Sequence, residues 1–193
     1  MIKYQNRTKP PTCLCTGRGM VAGVGSEYEK SLRDAGHQVF TPTLTGLGER
    51  SHLNSAAVNL STHIADVVNL FRWEDLSDVI LCGHSYGGNV ISGVADRIPE
   101  RIRTLLYLDA FVPEDGECLF DLHSSERAQQ MRLQAQTGWD NSPFRAAHER
   151  AKAKGWKTHT VTCGHEVMLD LPGELTDMLL EFVTSAVPSS LMT

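Results

Sequence analysis

The stretch Val79-Ile80-Leu81-Cys82-Gly83-His84-Ser85-Tyr86-Gly87-Gly88 decides the fold. Four apolar residues lead into a Gly-x-Ser-x-Gly sequence, and the apolar-periodic run Asn89-Val90-Ile91-Ser92-Gly93-Val94-Ala95 follows. A short, fully apolar run reads as a strand covered on both faces. The run after it has the period of a helix. A Gly-x-Ser-x-Gly between strand and helix is the setting of a nucleophile elbow, a turn so tight that only small residues can flank the serine. Gly83 and Gly87 satisfy that demand, and Gly88 lets the helix start close to the sheet. The spacing therefore points to Ser85 as a nucleophile exposed at the carboxyl edge of a sheet. The bland alternative is a Gly-rich turn with an ordinary capping serine; the strand and helix on either side favour the nucleophile.

Outward from the elbow, strands and helices alternate. The pattern predicts a helix over 27–35 closed by Gly36, a short strand over 38–41 and a Thr- and Gly-rich loop over 42–51. A helix capped by Ser61 or Thr62 follows, with Ile64, Val67, Val68 and Phe71 on one face. The elbow helix runs over 88–97 and stops before Pro99. Leu105 begins a second buried strand, which ends at Phe111. A weaker helical pattern covers 119–135, and a clearer one covers 144–154 with Gly155 after it. Residues 157–163 alternate and read as a strand, and Leu171-Pro172 opens a last helix with Leu175, Met178, Leu179, Phe182 and Val183 inward. Residues 13–26 are Gly-rich without a clear period. The ends, 1–12 and 188–193, read as disordered. Such alternation implies an α/β fold, with a mostly parallel sheet and helices on both faces. No domain boundary, repeat or low-complexity block interrupts the 193 residues, so one domain is expected.

Composition excludes several classes. Hydrophobic residues make up 41% and charged residues 21% of the chain, and its net charge is −5 with Lys and Arg scattered. That is no nucleic-acid footprint, and no apolar run has the length of a membrane span. The polar, basic beginning has no signal-peptide core. Five cysteines, without CxxC pairs, argue against a disulfide framework and a cysteine-based zinc site. Reduced thiols and a cytoplasmic location are the expectation. No cofactor and no metal are called for, and no partner beyond a small-molecule ester substrate.

A serine hydroxyl needs a neighbouring imidazole to take its proton. Among eight histidines, His165 stands in Cys163-Gly164-His165, on a loop between a predicted strand and the final helix. That is the place of the base when the order is Ser, then acid, then His. His84 is adjacent to Ser85, and adjacent residues on a tight turn diverge. The acid should lie between Ser85 and His165. Asp109, at the end of a buried strand, and Asp140, in a loop before a helix, compete; Asp109 is preferred and Asp140 is the alternative. The backbone N–H of Tyr86, the residue after the nucleophile, is one expected oxyanion donor. The second would come from the loop around Thr16-Gly17-Arg18, which suits the task poorly.

These residues carry a family resemblance. The stretch Ala35-Gly36-His37-Gln38-Val39-Phe40-Thr41-Pro42-Thr43-Leu44-Thr45-Gly46-Leu47-Gly48-Glu49-Arg50-Ser51-His52 resembles small esterases of the α/β-hydrolase superfamily. These are akin to plant methylesterases, hydroxynitrile lyases and bacterial pyrethroid-hydrolysing esterases. The likeness continues through the elbow, through Leu106-Tyr107-Leu108-Asp109-Ala110-Phe111-Val112-Pro113-Glu114-Asp115-Gly116, and from Ser142-Pro143-Phe144 to Gly164-His165 and Phe182. It implies a cofactor-free serine hydrolase of small esters, with Ser85 as nucleophile and His165 as base.

Two departures stand out. The family carries a helical cap and one more strand between the Leu119 region and Ser142, which this chain lacks, with a junction near Thr137-Gly138. The family's usual acid follows that strand, and here Trp139 falls in its place with Asp140 one residue late. The family also has His-Gly-x-x-His-Gly-Gly-Trp-Cys-Trp-Lys-Arg-Val where this chain has residues 16–28, without any of its His or Trp. Codons exist for residues 19–28 that, read one base earlier, spell His-Gly-Gly-Trp-Cys-Trp-Lys-Arg-Val. An out-of-frame origin of the oxyanion loop is the expectation, checked by reading the gene. The alternative to an active esterase is therefore a catalytically impaired hydrolase-fold protein.

Overall fold

The computed structural model describes residues 12–15, 26–114 and 145–184. The expected helix over 119–135, Asp140, the proposed junction near 137 and both termini lie outside these, as does the Gly-rich loop after Cys15.

The apolar run of the elbow becomes the long strand of the sheet. Strand β1 is Thr12–Cys15, helix α1 Ser26–Asp34, strand β2 Val39–Phe40 and helix α2 Leu60–Trp73. Strand β3 is Val79–Ser85, helix α3 Gly87–Arg97 and strand β4 Ile102–Ala110. Helices α4 (Arg145–Ala153), α5 (Val167–Asp170) and α6 (Pro172–Thr184) follow. The described strands form one sheet in the order β2-β1-β3-β4, with every pairing parallel.

β3 is buried on both faces because its two sets of alternate side chains enter different cores. Val79 and Leu81 join Ile64, Val67 and Phe71 of α2 and Val90, Ile91 and Val94 of α3. Cys82 points the other way, to Tyr28 and Leu32 of α1, Leu108 of β4, Val167 and Met168 of α5, and Leu175 and Leu179 of α6. Phe71, Val67 and Ile91 are fully buried, worth roughly 1.5–3 kcal/mol each against exposure. Helices cover both faces, as the sequence pattern requires.

Three local expectations are corrected. The cap of α2 is Asn59, not Ser61 or Thr62: its side chain accepts from the Thr62 N–H at 3.3 Å, and the Thr62 hydroxyl accepts from the Asn59 N–H at 3.2 Å. Asn is among the strongest N-caps, and Thr62 at the third helical position completes a reciprocal box. Residues 12–15, read as lead-in and aperiodic loop, supply the strand between β2 and β3. Residues 157–163 form no strand. Alternation suits a half-buried pleated surface, but this segment is largely exposed and no described strand lies beside it to complete a ladder.

Candidate active site

The elbow is held by steric necessity. Ser85 has φ +54°, in the left-handed region, a conformation that costs a non-glycine residue about 1–3 kcal/mol and persists only when its surroundings dictate it. They do so here through two close approaches. A Cβ on Gly83 would lie 2.6 Å from the Gly87 carbonyl oxygen, and one on Gly88 would lie 2.0 Å from the Phe111 carbonyl oxygen. The chain thus folds from β3 into α3 with no room for a side chain at either place. The Phe111 N–H, donating to the Ser85 carbonyl at 3.1 Å, ties the turn to the end of β4.

Beside the elbow, β4 carries a bulge. His84 pairs with Leu108 and Ser85 with Ala110, so Asp109 is the extra residue. Its φ is +38°. A bulge re-aims the side chain it carries, and the Asp109 carboxylate meets the His165 ring: Nδ1–H donates to Oδ2 at 2.5 Å. The proton sits on Nδ1 because a carboxylate can only accept. This bond, opposed by burial, holds the His165 pKa above the ordinary histidine value. The other carboxylate oxygen, Oδ1, is buried without a partner.

His84 has a second function that adjacency in sequence conceals. Its ring is 1% exposed, and its Nε2–H donates to the backbone carbonyl of His165 at 2.9 Å. The two rings lie 4.5 Å apart between centroids. Burial pushes the His84 pKa below the ordinary value. His84 thus props the loop that bears His165. The same loop is tied at Gly164, whose N–H donates to Asp170 Oδ2 at 2.7 Å.

Tyr86 follows Ser85 and caps α3 with φ −56° and ψ −29°. The backbone N–H groups of a helix's first turn lack intrahelical acceptors and favour negative charge. The Tyr86 ring is fixed by His63, whose Nε2–H donates to the Thr45 carbonyl at 2.9 Å and whose Nδ1 accepts from the Tyr86 hydroxyl at 2.9 Å. Burial pushes the Tyr86 pKa up to about 12, so the hydroxyl keeps its proton. Thr45 is held in turn by Asp66, through its N–H at 2.7 Å and its hydroxyl at 2.8 Å. Sequence reading assigned no role to His63. The available signal was its place beside Ile64 on the buried side of α2, where a histidine needs partners for both nitrogens.

Of the residues singled out from sequence, Ser85 and Tyr86 lie at the β3–α3 turn, and Asp109 and His165 are hydrogen-bonded. Asp140 lies outside the described residues. Among those residues no helix is long and apolar enough to cross a membrane.

Known proteins resemble this arrangement. The profile of the alpha/beta hydrolase family matches residues 21–158. A carbendazim-hydrolysing esterase from Nocardioides sp. is 36% identical over 217 residues, covering 77% of this chain and 89% of the relative. That alignment is longer than this chain, so the relative has residues without a counterpart here. A putative chloroplastic methylesterase from Arabidopsis thaliana is 29% identical, over 74% of this chain and 43% of the relative. Among solved structures, an extracellular alpha/beta-hydrolase from a Paenibacillus species superposes with a TM-score of 0.55 at 32% identity, over 66% of this chain and 52% of that one. The chain therefore spans about half the length of the latter two.

Proposed function

The chain belongs to the alpha/beta hydrolase family, and on that premise we propose that it is a serine hydrolase of small carboxylic esters, working through an acyl-enzyme within one domain. The observation that carries this reading is the 2.5 Å bond from His165 Nδ1 to Asp109 Oδ2, one residue along β4 from the partner of Ser85. In this mechanism the Nε2 of His165 takes the hydroxyl proton as Ser85 Oγ attacks the ester carbonyl. Asp109 keeps the tautomer correct and stabilises the imidazolium. The Tyr86 N–H donates to the oxyanion. His165 then returns the proton to the leaving alcohol, and water repeats the sequence to free the acid. The relatives named as esterases support an ester as substrate.

Ser85 should be labelled by a fluorophosphonate probe, and Ser85→Ala should abolish both labelling and turnover of p-nitrophenyl acetate. Equal labelling of the two proteins would refute the assignment. A second reading rests on the sequence of residues 16–28, where the family's oxyanion motif is replaced. Loss of one oxyanion donor costs about two to three decades in turnover. In the impaired reading, the probe labels Ser85 slowly and p-nitrophenyl acetate turnover does not exceed that of Ser85→Ala.

A further inference from the structure

A backbone N–H is aimed by the peptide plane that carries it. The peptide joining Ser85 to Tyr86 is trans and planar, so the Tyr86 N–H runs antiparallel to the Ser85 carbonyl. Three atoms define that plane: the Ser85 Cα, the Ser85 carbonyl oxygen and the Tyr86 Cα. The first ends β3. The second accepts from the Phe111 N–H at 3.1 Å. The third belongs to a residue whose hydroxyl is tied to His63 at 2.9 Å. We propose that His63 is a positioning residue for the oxyanion donor, holding the Tyr86 N–H in line through the Tyr86 hydroxyl. The catalytic half of this inference rests on the function proposed above; the tether does not.

The direction of each hydrogen bond follows from chemistry. The Thr45 carbonyl can only accept, so His63 Nε2–H donates to it at 2.9 Å. With one proton on the ring, Nδ1 must accept, and the Tyr86 hydroxyl must donate. Both ring nitrogens are thereby used at a residue 8% exposed, which stands edge-on to the Tyr86 ring at 5.7 Å and 83°. The far end is fixed as well, because Asp66 accepts from both the Thr45 N–H and its hydroxyl. Asn89 also holds Tyr86, by donating its N–H to the Tyr86 carbonyl at 3.0 Å, but that bond travels with α3. The His63 bond fastens the start of α3 to separate elements, α2 and the loop at Thr45. A tyrosine has two side-chain torsions, so a fixed hydroxyl restrains its Cα. The other buried residues of α2 are Ile64, Val67 and Phe71. A two-ended polar ring among them is a costly choice if filling space is its whole task. The family's oxyanion motif is replaced at residues 16–28, which puts more of the load on the Tyr86 N–H.

The test compares three variants of the full chain. His63→Leu removes both ring bonds, and His63→Gln keeps one donor and one acceptor. Ser92→Ala removes a different side-chain bond of α3, to the Tyr107 hydroxyl at 2.9 Å. In p-nitrophenyl acetate hydrolysis, His63→Leu should lower kcat about tenfold, part of the two to three decades that loss of a whole donor costs, with KM unchanged. His63→Gln should recover most of that loss, and Ser92→Ala should keep the wild-type kcat. Wild-type kcat in His63→Leu, or an equal fall in Ser92→Ala, overturns the catalytic half. If His63→Leu does not fold, Tyr86→Phe breaks the same tether without a change of shape and should give the same fall. The tether has its own readout. The chain has four tyrosines, so ¹⁵N-tyrosine labelling gives few amide resonances, and that of Tyr86 is assigned by its loss in Tyr86→Phe. It should shift and broaden in His63→Leu and stay in place in His63→Gln and Ser92→Ala. An unmoved resonance in His63→Leu overturns the tether. A wild type without turnover refutes the hydrolase reading and leaves the amide spectrum to decide the tether.

Discussion

The turn that carries Ser85 and the loop that carries His165 are built on opposite principles. Around Ser85 the backbone is packed so closely that Gly83 and Gly88 admit no Cβ, and the strand before it is buried from Val79 to His84. Around His165 the chain is irregular and largely exposed from Trp156 to His165, with polar ties to Asp109, from His84 and to Asp170. A side chain placed by sterics, as Ser85 is, keeps its position as long as the sheet is folded. A side chain placed by hydrogen bonds, as His165 is, depends on each partner, and its position can be tuned one bond at a time.

Breaking each half in turn tests this contrast. Ser85→Ala leaves the packing unchanged and should lower kcat by about six decades at full activity, read with p-nitrophenyl acetate. Asp109→Asn removes the orienting carboxylate and should lower kcat by about 10³–10⁴. Its pH profile adds a sign. His165 must be neutral to act, and its pKa lies above 6.5 because of Asp109, so the wild-type rate should rise with pH through that raised value. In Asp109→Asn the residual rate should rise at lower pH. The pair's contribution to stability runs the other way: full below the unfolded histidine pKa, and lost as pH climbs through the folded one.

Gly88→Ala attacks the rigid half. Its Cβ would meet the Phe111 carbonyl, and the overpacking should destabilise by about 1–3 kcal/mol, measured by urea denaturation. Asp170→Asn gives the smallest effect. It weakens the tie to Gly164 at an exposed site, so stability should change by less than about 0.5 kcal/mol, with kcat falling only a few-fold. Should Asp170→Asn cost more stability than Gly88→Ala, the contrast is wrong.

What could be read from the sequence follows the same division. The elbow was legible because covalent geometry forces glycines at set positions, and the proposed order of Ser85, acid and His165 followed from the elbow, with Asp109 preferred to Asp140 as the acid. β1 was hidden because four residues, Thr12–Cys15, are too few to show a period. The segment 157–163 alternated like a strand, but a strand needs a neighbour, and composition cannot supply one. His63 and His84 escaped because their partners, the Thr45 carbonyl and Tyr86 hydroxyl for His63 and the His165 carbonyl for His84, lie far away in sequence. Asn59 was missed because the capping pair spans three residues and Ser61 offered a plausible hydroxyl inside it.

The bulge at Asp109 bears on inheritance as well as geometry. The proposed nucleophile and acid sit 24 positions apart within one β-α-β unit, Val79–Ser85 to Ile102–Ala110, joined by α3 and a short 3-10 turn at Pro99–Arg101. A gene rearrangement downstream of residue 114 can excise whole elements without parting the two. Only the proposed base, His165, needs to be brought back, on any loop that returns to the end of β4.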